Sequence, residues 1–161
     1  MKTAIIYYSL SGNTEYVAET IKKEINADLI KITPKKEFPN KGFKKFFWGG
    51  KSAVMGETPA LEKYTFDPEK YDNIIIGTPV WASTFTPPIR TFLKENKEQL
   101  KDKKISVFIC YSGGGADKAI EKMKKYLNID SFANELILID PKDKNSEDKE
   151  RKIIDFIKKI I

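Results

Sequence analysis

Five short apolar runs punctuate the chain, at Thr3–Tyr8, Asp28–Ile32, Asn73–Ile76, Lys104–Cys110 and Glu135–Ile139. In most of them apolar residues occupy successive positions. A strand with one wet face alternates; a strand covered on both faces does not. Helical stripes separate the runs. Val17, Ala18, Ile21 and Ile25 share one face, and Ile89, Phe92, Leu93 and Leu100 follow Pro87-Pro88. Ala116, Ala119, Ile120, Met123 and Leu127 form another stripe, and Ile153, Ile157, Ile160 and Ile161 form the last. Proline suits a first helical turn because the N–H it lacks would be unpaired there. Asn145 or Ser146 stands where a cap is expected, before Glu147 and Asp148, whose charges complement the helix dipole. This alternation predicts right-handed βαβ crossovers and an α/β fold: a doubly wound, five-stranded parallel sheet with helices on both faces.

No internal repeat or low-complexity linker divides residues 1–161, and the expectation is a single domain. Residues 33–70 break the rhythm as an extended connection between the second and third strands. They hold Lys35-Lys36, Gly42, Gly49-Gly50 and the aromatics Phe38, Phe43, Phe46, Phe47 and Trp48. A short helix around residues 41–48 and an excursion over one sheet edge are expected there. The segment reads equally as packed surface structure or as a flap near a ligand.

Composition removes several function classes. Histidine is absent, so Ser-His-Asp and Cys-His catalysis are excluded. Cys110 is the one cysteine, so no intrachain disulfide forms, and its place at the end of an apolar run reads as a core thiol. Asp and Glu show no metal-ligand spacing. No apolar run approaches the roughly 20 residues of a membrane span. The apolar stretch after Lys2 is too short for a signal peptide, because polar residues begin at Ser9. A cytoplasmic protein is expected. The net charge is +6, but nearly all the cations are lysines interleaved with acids, and Arg90 and Arg151 are the only arginines. That is the pattern of a solvated surface and not of base readout, so no nucleic-acid partner is expected. An acidic protein partner suits it better. Gly50-Lys51-Ser52 resembles the end of a P-loop, but Lys45 stands where the pattern needs glycine.

The chemistry is expected at the loops beyond the carboxyl ends of the strands, where open α/β sheets bind ligands. After the first run comes Ser9-Leu10-Ser11-Gly12-Asn13-Thr14, immediately before a helical pattern. Unpaired amides at a helix start and the helix dipole favour an anion, and the side chains of Ser9, Ser11, Asn13 and Thr14 add donors. Asn13 or Ser11 as a simple helix cap is the plainer reading. After the third run come Gly77-Thr78 and then Pro79, Val80, Trp81, Ala82 and Ser83, a flat apolar surface followed by hydroxyls. After the fourth come Tyr111, Ser112, Gly113, Gly114 and Gly115, where a planar group could approach the backbone closely. Phosphate at one loop and a heteroaromatic ring between the other two describe a mononucleotide.

These motifs resemble the short-chain form of the flavodoxin-like family. Residues 9–14 are similar to its T/S-x-T/S-G-x-T signature, and the likeness covers the chain apart from the 33–70 stretch. The resemblance implies strand order 2-1-3-4-5. It implies FMN as cofactor, with Ser9, Leu10, Ser11, Gly12, Asn13 and Thr14 at its phosphate. Pro79, Val80, Trp81, Ala82, Ser83, Ser112, Gly113 and Gly114 would flank the isoalloxazine. It implies electron transfer between redox partners, with an FMN-dependent NAD(P)H:quinone-type reductase as the alternative and a flavin-free binding module as a weaker one. The chain departs from electron-carrying members of the family in three ways. Pro79–Thr84 contains no glycine, the loop after the fourth strand carries no aromatic lid beyond Tyr111, and the balance of charge is basic. Residues 9–14 also contain no lysine or arginine. The expectation is therefore a phosphate seat of uncharged donors and helix dipole alone.

Overall fold

The computed structural model describes residues 2–40, 42–144 and 146–161, with residues 42–47 as backbone. In chain order the elements are β1 (Thr3–Tyr7), α1 (Asn13–Glu24), β2 (Ala27–Lys31), α2 (Gly42–Val54), β3 (Asn73–Trp81) and β4 (Thr84–Phe85), followed by α3 (Pro87–Leu100), β5 (Lys104–Tyr111), α4 (Ala116–Leu127), β6 (Glu135–Ile139) and α5 (Glu147–Lys158). The parallel sheet runs β2-β1-β3-β5-β6, and β4 pairs antiparallel with β3. Leaving β4 aside, this is the expected 2-1-3-4-5 order.

The sheet alternates residue by residue between two apolar layers. Ala4, Ile6, Ile74, Ile76, Val107 and Ile109 pack with the stripes of α3 and α4 on one side. Ile5, Tyr7, Ile75, Phe108, Cys110, Leu136 and Leu138 pack with Val17, Ala18 and Ile21 of α1 and Ile153, Phe156 and Ile157 of α5 on the other. Burial on both faces is why the sequence runs do not alternate. Each fully buried Ile or Phe removes enough apolar surface from water to contribute about 1.5–3 kcal/mol before chain entropy is counted. Gly77 lies opposite Phe108 in the β3–β5 register, and a β-carbon there would come within 2.1 Å of the Phe108 ring. Only glycine leaves room for that ring at the sheet centre.

β3 outruns its apolar core. Its last parallel pair is Pro79 with Cys110, after which Val80 and Trp81 pair with Phe85 and Thr84 of β4. Proline supplies no amide hydrogen to continue the ladder, so the strand changes partner there. The Thr78 hydroxyl lies 3.0 Å from that of Thr86 and accepts the Thr86 N–H at 3.2 Å, closing the hairpin. β4 was not expected, because its turn is Ala82-Ser83, with both residues in the left-handed region at φ 48° and 57°. A turn of that kind is normally signalled by Asn-Gly or Asp-Gly.

Ser146 caps α5, its hydroxyl accepting the Lys149 N–H at 3.4 Å; Asn145, the other candidate cap, lies outside the described residues. α2 runs to Val54, further than the helix expected around residues 41–48, of which Lys41 lies outside the described residues. The base of the 33–70 excursion is closed by two backbone bonds, Lys35 N–H to Ala60 and Glu62 N–H to Thr33, each 2.8 Å. Among the described residues no helix is long and apolar enough to cross a membrane.

Candidate functional site

β1 turns into α1 through residues 8–12, and the helix cap is neither Ser11 nor Asn13. It is Gly12, at φ 93°, and among the described residues no side-chain cap bond closes the first turn of α1. The first-turn amides therefore face outward at the positive end of the helix dipole, as an anion needs. Ser9 shapes the loop from behind, its hydroxyl accepting the Gly12 N–H at 3.2 Å. The Asn13 side chain, expected as a donor to an anion, is committed elsewhere. Its Nδ2 donates to the Asp143 carboxylate and its Oδ1 accepts the Lys142 N–H, both at 2.8 Å. It ties the β6–α5 loop to the start of α1. Thr14 is buried, beside the Cys110 thiol. Burial pushes that thiol up to about 12, so Cys110 is inert at neutral pH.

A cavity of about 300 Å³ opens beyond the carboxyl ends of β1, β3 and β5. Of the residues expected at the site, Leu10, Ser11, Asn13, Thr14, Pro79, Val80, Trp81, Ala82, Ser83, Ser112, Gly113 and Gly114 line it, while Ser9 and Gly12 do not. Gly50 of α2, Cys110, Tyr111 and Asp140 complete the lining. Trp81 forms one wall and is held on three sides. Tyr8 meets it edge-on at 5.7 Å between ring centres and Phe38 does so at 5.0 Å. Gly49 backs it so closely that a β-carbon there would stand 3.2 Å from the indole. The 33–70 segment thus supports the cavity wall through Phe38, Gly49 and Gly50.

The loops after β3 and β5 touch. Gly115 caps α4 at φ 84°, again with no side-chain acceptor, and a β-carbon on it would fall 2.4 Å from Ser83 Oγ and 2.9 Å from Ser83 Cα. Among the described residues nothing stands within 4 Å of where side chains would extend from Gly113 and Gly114, so that rim is open. The Ser112 hydroxyl donates to the Asp140 carboxylate, and with Lys144 at 3.0 Å it holds the Asp140 carboxyl below the usual carboxylate range. An ionised acid therefore borders the cavity. The first loop carries no cation of its own, but Lys142 crosses it: a β-carbon on Gly12 would lie 3.0 Å from the Lys142 ammonium. Asp140 and Lys142 were not foreseen. They sit just after the carboxyl end of β6, so the strand-end rule, applied to that strand too, would have reached them.

The flavodoxin family model matches residues 2–149. No curated protein sequence matches the chain. Among solved structures, a flavoprotein in complex with FMN from Lactobacillus acidophilus NCFM is 26% identical, with a TM-score of 0.71 over 87% of this chain and 93% of that one. A candidate flavoprotein from Bacteroides eggerthii DSM 20697 is 21% identical, with a TM-score of 0.75 over 98% of each chain. Two-electron reduced flavodoxin from Megasphaera elsdenii is 17% identical, with a TM-score of 0.58 over 97% of this chain and 98% of that one.

Proposed function

The chain belongs to the flavodoxin family, and from that premise we propose that it binds FMN and carries electrons between redox partners. The carrying observation is the convergence of three loops on one cavity: an uncapped helix start, a braced indole wall and a glycine rim. The donor set suits the cofactor. The α1 amides and the Ser11 hydroxyl take the phosphate. Trp81 and the Gly113-Gly114 backbone border the same cavity and would flank the planar ring. FMN, when bound, supplies the redox chemistry, and the protein supplies position and charge. Trp81 cannot swing away, because Tyr8, Phe38 and Gly49 brace it, so the ring is oriented on arrival. Ser112 keeps Asp140 ionised beside the cavity, which opposes a further negative charge there.

The open rim at Gly113 and Gly114 supports a second reading, an FMN-dependent reductase that admits a nicotinamide and then a small acceptor such as a quinone. Absorbance during stepwise reduction of the FMN-loaded protein separates the two. Resolved one-electron steps support the carrier. Bleaching in a single step by NADH or NADPH supports the reductase. Protein that takes up no FMN overturns both and leaves a flavin-free binding module. The cytoplasm and an acidic protein partner fit the lysine-rich surface.

A further inference from the structure

The β6–α5 loop is fastened across the start of α1. Asn13 Oδ1 accepts the Lys142 N–H and Asn13 Nδ2 donates to Asp143, so residues 142 and 143 cannot drift from the helix start without breaking the bonds of a buried amide. The Lys142 chain then lies along Gly12, its Cδ, Cε and Nζ all within 3.8 Å of where a Gly12 side chain would begin. Gly12 is the residue whose left-handed turn opens the first-turn amides of α1. Lys144, two residues on, is neutralised by Asp140 at 3.0 Å. Lys142 has no carboxylate at ion-pair distance among the described residues; Glu15 feels its charge from further off and is itself paired with Lys31 at 2.7 Å. The structure thus holds an ammonium with no ion-pair partner among the described residues, by a backbone tie, over a helix start whose own loop has no cation.

We propose that Lys142 is a phosphate-binding residue and the counter-charge for the phosphate monoester of FMN, so that this chain prefers FMN to riboflavin by charge as well as by amide donors. This rests on the FMN reading above. It replaces the expectation of a seat built only from uncharged groups. An ammonium is a compact donor suited to a phosphate oxygen, and its exposure makes its contribution salt-dependent.

The test is titration of the apoprotein with FMN and with riboflavin, followed by quenching of flavin fluorescence, at low and high salt. Lys142→Gln should weaken FMN about tenfold at low salt, equivalent to about 1.4 kcal/mol, and leave riboflavin unchanged. The loss should shrink as salt rises, and Lys142→Arg should recover most of the affinity. Lys23→Gln, which removes the same charge from the far end of α1, should change neither flavin. FMN affinity and salt slope in Lys142→Gln equal to wild type would overturn the role of Lys142 and leave the FMN reading intact. So would an equal loss for FMN and riboflavin. A wild-type protein that binds no FMN overturns the reading itself, and the role of Lys142 with it.

Discussion

Ser83 and Gly115 offer a quantitative test of how the cavity is walled. Replacing Gly115 by alanine asks an L residue to hold φ 84° and sets its β-carbon 2.4 Å from Ser83 Oγ and 2.9 Å from Ser83 Cβ and Cα. The left-handed conformation costs about 1–2 kcal/mol. Crowding that side chains cannot relieve costs about 1–3 kcal/mol. The expected destabilisation of Gly115→Ala is therefore about 2–5 kcal/mol, a fall in Tm of roughly 4–20 °C for a chain of this size. Ser83→Gly alone should be near neutral. It relieves a serine at φ 57° but adds about 0.5–1 kcal/mol of chain entropy. In the double variant Ser83 Oγ and Cβ are gone, and the backbone of residue 83 alone still crowds the new methyl. Ser83→Gly should then recover about 1–2 kcal/mol of the Gly115→Ala loss, a coupling read from a double-mutant cycle of urea unfolding. Additivity within about 0.4 kcal/mol would refute the reasoning, because it would mean that the two loops do not touch. Flavin affinity should follow the same pattern, since both loops line one cavity.

Asn13→Ala removes both ties to the β6–α5 loop and should cost about 1–3 kcal/mol, with faster hydrogen exchange at the Lys142 amide as its local signature. Asp140 stays ionised to lower pH when folded than when unfolded, so its contribution is complete above the unfolded value of about 3.9 and is lost as pH falls. Between pH 6 and pH 3 the stability of Asp140→Asn should therefore fall less steeply than that of wild type, and parallel curves in urea titrations at each pH would count against this. Asparagine suits the test because it tolerates φ near 40°, the value at Asp140. Cys110, buried with its thiol raised to about 12, should resist iodoacetamide at pH 8 in the native protein and react at once in urea, as mass spectrometry would register.

The sheet and its helices were legible because burial on two faces writes itself as unbroken apolar runs, and a helix against a sheet writes a stripe. The place of the β1–α1 loop at the cavity was legible because Ser9–Thr14 concentrates small polar residues at a strand-to-helix joint. The hairpin was not, since Ala82-Ser83 lacks the glycine or asparagine that advertises left-handed backbone; neighbours hold it there, Gly115 on one side and the Thr78–Thr86 clasp on the other. Nor was the use of Asn13. An amide in a polar loop reads as a donor to solvent or ligand, and its partners lie 129 and 130 positions away. Lys142 escaped notice for the same reason. In a chain full of surface lysines only its place just after the end of β6 marks the one that folds back over Gly12.

The bond between Asn13 and Lys142 also sets an order of events during synthesis. The start of α1 leaves the ribosome early, together with the glycine that opens it, yet the strap that crosses it belongs to the last βα unit. A nascent chain halted before β6 has the first loop but neither the clamp nor its ammonium. That fastening of the α1 start thus waits for nearly the whole polypeptide.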